Sequence, residues 1–302
     1  MWVAPSSADQ LNYSREESGD FYLFNYQWLD RNEQEQSLSF ALTKEALFTR
    51  FRNFKAYKPK FTAQFIAKRI QKKLKEQPIP NVQVHFQHQS GEIKINLKSS
   101  NPKDLQAAEQ KIAAMELELS AQYLADNFYQ HFTTYNNLTG IKPNHTKIAE
   151  FSADDLKSLK EPILENVSIK NIRQVTDFTL GFVQSIPYAT LESRLSASGA
   201  GFSTPLKLLW ENQGDCDSKV TLLGAMLRAL MPRIKMIFVF IDQHALIGIE
   251  VPPRAGETTL VVDNATYVLA EPTGPAMLPL GQVSVESEQA ILHQHYVAES
   301  FF

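Results

Sequence analysis

From Val220 to Leu230 the chain carries apolar side chains on every side of a helix: Val220, Leu222, Leu223, Ala225, Met226, Leu227, Ala229 and Leu230 leave little polar surface. Such a helix must be enclosed, and the residues after it supply the enclosure. Lys235–Ile241, His244–Val251, Thr258–Val262 and Tyr267–Ala270 are strand-length apolar runs separated by turn residues. The C-terminal half therefore predicts a buried helix packed on a sheet. Upstream of it, Ser152 and Asp155 mark the start of a short helix to about Glu165, Ile169–Ile186 carries a helical period that stops at Pro187, and Ser203-Thr204-Pro205 opens a short helix to Trp210.

The N-terminal half has the same mixed character. Residues 1 to about 19 are polar and predict little order, whereas Phe21–Trp28 and Leu38–Leu42 read as strands. Thr43 can cap a helix whose rings Phe48, Phe51, Phe54 and Tyr57 recur at threes, and a second helix follows Pro59, from Phe61 to about Lys75. Val82, Val84 and Phe86, then Ile93, Ile95 and Leu97, alternate with polar residues around Ser90-Gly91, a β-hairpin pattern. Pro102 opens a long helix to about His131, and the Asn-, Thr-, Gly- and Pro-rich stretch from Thr133 to Lys147 reads as a linker. The expectation is an α+β protein in two parts: an accessory α+β domain over 1–140 and a second domain over 141–302.

Net charge is −3 and the isoelectric point about 6.2, so no global attraction to nucleic acid or acidic membranes is expected. Residues 44–75 are a local exception, with eleven Lys or Arg against Glu45 and six interleaved rings. Such a stretch either holds an anionic surface or turns its rings inward and its charges to water. No apolar run has the roughly 20 residues that span a bilayer, and the first residues lack the basic start and apolar centre of a signal peptide. Cytoplasmic and periplasmic locations both fit.

The single cysteine, Cys216, lies in Gly214-Asp215-Cys216-Asp217, where a polar turn enters the apolar helix. It excludes an internal disulfide and a zinc site built on several thiolates. A helix N-terminus favours the thiolate, because unpaired N–H groups and the helix dipole stabilise negative charge there. The plain alternative is a small buried apolar residue, the usual fate of a free cysteine. A nucleophile needs a base, and His244 opens a downstream strand; the strand after that ends in an acid, Glu271, within Glu271-Pro272-Thr273. Helix-borne thiol, strand-borne imidazole and strand-end carboxylate follow in an order that lets them converge across a sheet.

Gly214-Asp215-Cys216-Asp217, His244-Ala245 and Glu271-Pro272-Thr273, over about residues 170–280, resemble the transglutaminase-like superfamily, particularly its bacterial cysteine-peptidase-like members. The resemblance implies a papain-like core, a nucleophile helix packed on an antiparallel sheet, with the N-terminal half as an accessory domain. It implies a Cys216-His244-Glu271 triad that opens an amide through a thioester, resolved by water in a peptidase or by an amine in a crosslinking enzyme. Hydrolysis is the favoured expectation. A protein or peptide is the implied substrate, with no cofactor and no metal, and the N-terminal domain would position substrate, bind a protein partner or cover the cleft. The rival is a binding or scaffolding protein that keeps the fold without turnover.

Around the triad, Gln184 is the expected oxyanion donor, against an ordinary polar helix residue. Asp215 either caps the helix or helps fix substrate, and Asp217 shares that choice. Trp210 either borders the cleft or packs in the core. Asp263 competes with Glu271 as the orienter but stands among turn residues, and Leu246, where many relatives carry an aromatic, would alter a substrate wall. The small residues of 189–203 read as a lid or a plain connection. The pairs His85/His88 and His293/His295 lack the further ligands a metal site needs.

Overall fold

The computed structural model describes residues 9–52, 54–89, 92–168, 171–191, 201–242 and 244–301. The Ser90-Gly91 turn and most of the 189–203 segment lie outside the described residues. The fold is α+β. In chain order the elements are β1 (Gln10–Ser18), β2 (Phe21–Leu29), β3 (Glu35–Thr43), α1 (Lys44–Thr49), α2 (Pro59–Glu76), β4 (Gln83–Gln89), β5 (Glu92–Lys98), α3 (Pro102–Asp126), β6 (Tyr129–Thr133), β7 (Thr139–Pro143) and α4 (His145–Ala153). A 3-10 turn at Lys157–Leu159 leads into α5 (Lys160–Asn166), α6 (Ile172–Ser185), α7 (Pro205–Glu211), α8 (Cys216–Leu230), β8 (Met236–Ile241), β9 (His244–Ile249), β10 (Thr259–Val262), β11 (Ala265–Ala270), α9 (Val285–Leu292) and β12 (Val297–Phe301). No helix among the described residues is long and apolar enough to cross a membrane.

Two compact bodies result, and their boundary corrects the expected division at residue 140. The first joins the chain up to Arg52 with Thr133 onward; the second is Asn53–Phe132. The first fifty residues join the C-terminal half because β2 and β3 bury Phe24, Tyr26, Trp28, Leu38, Phe40 and Leu42 in the same core as α6, α7 and α8. Phe182 of α6 takes Tyr26 edge-on at 4.9 Å and Trp28 at 5.6 Å. The hydroxyls of Tyr13 and Tyr26 donate to Leu209 O at 3.1 and 3.0 Å, satisfying a carbonyl that the C-terminal turn of α7 leaves open. Residues 10–18, expected to lack order, are the edge strand of an antiparallel β1-β2-β3 sheet.

Other departures have local causes. The helix capped by Thr43 stops at Thr49, and the rings at threes do not form one stripe: Phe48 meets Trp210 at 5.0 Å in the first body, whereas Phe54 and Tyr57 meet Tyr129 at 5.4 and 5.5 Å in the second. α3 ends at Asp126 rather than near His131, because Asn127 caps it, donating from Nδ2 to Tyr123 O at 2.8 Å, and Phe128 takes φ +59°. The expected linker is occupied by β7 and the start of α4, whose cap is Asn144. Ser152 therefore sits inside a helix, donating to Ile148 O at 2.8 Å, instead of starting one. The basic stretch is divided between the bodies; in the first, Lys44 and Arg50 pair with Glu17 and Asp155, and in the second Lys73 pairs with Glu118.

The second body places α2 and α3 on the β4-β5 hairpin around Ile70, Leu74, Ile112 and Leu119. In the first, a five-stranded antiparallel sheet runs β10-β11-β9-β8-β12. One face, with Phe238, Ala245, Ile247, Val268 and Ala270, packs on α8. The other buries Ile237, Val239, Leu246, Leu260, Tyr267 and Leu269. The alternation of side chains along each strand produces both layers.

Candidate active site

Cys216 is the first residue of α8, and its neighbours explain why the helix begins there. Asp215 is the N-cap: its Oδ1 accepts from Ser218 N–H at 2.9 Å, and burial pushes its pKa up to about 6. Capping is its role, and no oxyanion donor can come from a carboxylate so engaged. Gly214 is closely approached: a Cβ there would lie 2.5 Å from Leu208 Cδ1, so the buried Leu208 side chain would have to shift. Its N–H donates to Pro187 O at 3.2 Å and its carbonyl accepts from Ala189 N–H at 3.1 Å, which docks the segment after α6 alongside the helix start as a parallel bridge. That docking brings Tyr188 to the nucleophile: its side chain hydrogen-bonds Cys216. Burial, then the nearby thiol and acids, raise the phenol above its ordinary pKa.

His244 reaches the thiol from β9. Its ring hydrogen-bonds Cys216, and Nε2 lies 2.8 Å from Glu271 Oε1. Burial alone would depress the imidazole's pKa; the bonds to Cys216 and Glu271, and the charge of Glu271, outweigh it and lift the value to about 10. Glu271 follows β11 and has a second anchor. Its Oε2 accepts from Ser284 N–H, the N-cap of α9, at 2.8 Å, and Ser287 also bonds it. Burial pushes this carboxyl up, but the His244 bond and charge prevail and hold it below the usual carboxylate range. The longer side chain of Glu spans the gap between imidazole and the start of α9. A cavity of about 460 Å³ lies against this pair, bounded also by Asp242 and His295.

The remaining candidates are placed elsewhere. Gln184 is not an oxyanion donor: its Nε2 donates to Glu271 O and Leu278 O, both at 2.9 Å, so its two amide hydrogens are spent on backbone carbonyls. Trp210 packs in the core side of the first body, 4.8 Å from the Tyr22 ring and beneath the Arg15 guanidinium at 3.9 Å. Asp263 and Asn264, with φ +49° and +63°, form the two-residue turn joining β10 to β11, so Asp263 orients nothing. Leu246 is fully buried in the layer away from α8 and forms no substrate wall. Asp217 stays half-exposed, with His145 Nε2 3.8 Å from its Oδ2. His145 itself has no accessible surface, lacks a hydrogen-bond partner at both nitrogens among the described residues, and is held neutral by burial.

Four residues of the site had no place in the sequence reading: Tyr188, Ser284, Ser287 and Lys219. Lys219 lies one turn beyond Cys216 and is fully buried. Its Nζ donates to Ile186 O, and to Thr273 O at 2.7 Å, so it fastens the segment leading to Tyr188 to the loop that follows Glu271. Burial pushes its pKa down to about 7. A lysine amid Val220, Leu222 and Leu223 was the available signal, because a buried amine must be satisfied by something specific.

Compared with known proteins, the chain matches no protein-family model and no curated protein.

Proposed function

We propose that this protein is a cysteine-dependent acyl-transfer enzyme of the transglutaminase-like, papain-like kind, cleaving an amide bond in a protein or peptide. The observation that carries the reading is the His244 ring, hydrogen-bonded to Cys216 on one side and at 2.8 Å to Glu271 on the other. In the reaction the Cys216 thiolate attacks the amide carbonyl and the carbonyl π pair moves to oxygen. Collapse of that intermediate breaks the C–N bond, the imidazolium of His244 gives its proton to the departing amine, and a thioester remains. Water, deprotonated by His244, attacks the thioester; the C–S bond breaks, carboxylic acid leaves, and the thiolate–imidazolium pair is restored. Glu271 keeps the ring oriented and balances its charge. The Tyr188 hydroxyl, already bonded to the thiol, supplies a donor for the oxyanion.

Alkylation by iodoacetamide near neutral pH tests the reading. The parent thiol should react rapidly, and His244→Ala should slow it by about 10²-fold, with Glu271→Gln between the two. A rate that ignores both substitutions would refute acyl transfer and support the scaffold reading, which the small exposure of Cys216, 9%, favours. Release of new amino termini from casein, set against incorporation of a fluorescent primary amine, separates peptidase from crosslinking enzyme.

A further inference from the structure

Charge is divided unevenly between the two bodies. Asn53–Phe132 carries twelve Lys or Arg against seven Asp or Glu, whereas the remainder of the chain carries eighteen against twenty-six. Six of the twelve lie on α2, whose one acid is its last residue, Glu76. We propose that the outward face of α2 docks on a membrane surface rich in anionic lipid, with its cations at the phosphates and the rings of Phe61 and Phe65 between the headgroups.

The inner side of α2 fixes what its outer side shows. Ile66, Ile70 and Leu74 pack with residues of α3 and the β4-β5 hairpin, and Thr62 and Ala67 are buried beside them. The helical period then turns Phe61, Phe65, Lys68, Arg69, Lys72 and Lys75 away from that core together. All six are exposed, Phe61 at 62% and Phe65 at 38%. The acids of this body lie elsewhere, five of the seven on α3. Lys73, nearer the inner side, bonds one of them, Glu118, at 2.9 Å. Among the described residues Lys68, Lys72 and Lys75 form no ion pair, so the outward stripe keeps its charge.

Rings and cations are interleaved on this face. Lys58 Nζ stands over the Phe61 ring at 5.5 Å, and the Arg69 guanidinium over the Phe65 ring at 5.1 Å. The aliphatic stem of each cation therefore runs beside a ring that can enter the acyl boundary while the charged head stays level with the phosphates. A single-stranded nucleic acid, the other common polyanion, follows a groove and stacks its bases on open ring faces. A convex helix gives no groove, and Phe65 already has Arg69 over its ring and Tyr123 at 5.0 Å. Positive charge together with exposed apolar rings on one convex face matches an anionic bilayer surface.

Co-sedimentation of the full chain with phosphatidylcholine vesicles containing about one-third phosphatidylserine tests the face. Binding is expected at about 0.1 M salt and should be lost by about 0.5 M, where surface charges are screened. The double variant Lys68→Gln, Lys72→Gln should weaken it by about tenfold or more. Phe61→Ser, Phe65→Ser, which leaves the charge unchanged, should also weaken it by about tenfold. Lys94→Gln, Lys98→Gln removes the same charge from exposed positions on β5 and should bind as the parent does. Cys216→Ala should bind unchanged, so the result stands apart from the fate of the acyl-transfer reading. No sedimentation with these vesicles, equal sedimentation with pure phosphatidylcholine, or equal losses from the α2 and β5 lysine pairs would overturn the proposal. So would tighter binding to an oligothymidylate that requires the same two rings.

Discussion

Replacing Lys219 by methionine should change how stability depends on pH more than stability itself. The amine has no accessible surface and a pKa near 7 in the fold, against 10.5 for the ordinary side chain. That difference corresponds to about 5 kcal/mol of cost for keeping the ammonium in the fold. The folded pKa is the lower one, so between about pH 7 and 10.5 the unfolded chain binds more protons, and stability rises with pH across that window. Below it the whole cost applies. Integrated from about pH 7 to 9.5, the gain is about 3 kcal/mol. The methionine variant loses this titration and leaves the carbonyls of Ile186 and Thr273 without their donor, at about 1–3 kcal/mol each. Near pH 7 the removed cost and the added one nearly cancel, so the two proteins should agree within a few kcal/mol. Near pH 9.5 the variant should have fallen a further 3 kcal/mol or so behind. Urea unfolding followed by tryptophan fluorescence, at both pH values for both proteins, reads this difference of differences, in which all other titrating groups drop out. Parallel pH profiles would show that the buried amine is not the titrating group and would refute the reasoning.

Two further outcomes follow from the same geometry. Tyr188→Phe removes the hydroxyl bonded to Cys216 and should lower kcat by about 10²-fold with little change in KM, the loss characteristic of a missing oxyanion donor; steady-state kinetics on a cleavable peptide decide it. Gly274→Ala should be strongly destabilising: the residue has φ +58°, and a Cβ would stand 2.3 Å from the backbone oxygen of Gln184. A drop in melting temperature of several degrees is expected, with loss of activity in step, because the displaced loop is the one that Gln184 and Lys219 hold beside Glu271.

Local patterns announced most of the elements that build the site. The apolar period of α8, the cap at Asp215, the four strands β8 to β11 and the stop at Pro187 are short-range signals, and each lies where its residues indicated. Cys216, His244 and Glu271 were legible for the same reason: thiol, imidazole and acid stand at element ends, where side chains can converge. The misreadings involve partners distant in the chain. Gln184 has the right residue type on the right helix, but its amide is claimed by carbonyls about ninety positions later. The strands β1 to β3 look like part of a neighbouring domain until Phe182 and Leu209 are known to lie against them. Nor did α9 and β12 advertise themselves, since Ser284 caps a short helix and Val297–Phe301 gains its pairing only from β8.

The first body draws on both ends of the chain, and this shapes how the protein must be made. A ribosome delivers Phe24, Tyr26 and Trp28 long before Phe182 exists to cover them, and then synthesises the whole of the other body in between. The last strand closes the structure, with Phe301 stacking on Phe238 at 5.2 Å. The nascent N-terminal strands therefore wait with apolar faces uncovered until α6 and the helices after it have been synthesised. Deleting Val297–Phe301 would leave β8 as an unpaired edge and uncover Phe238, and aggregation of that variant is the expected outcome.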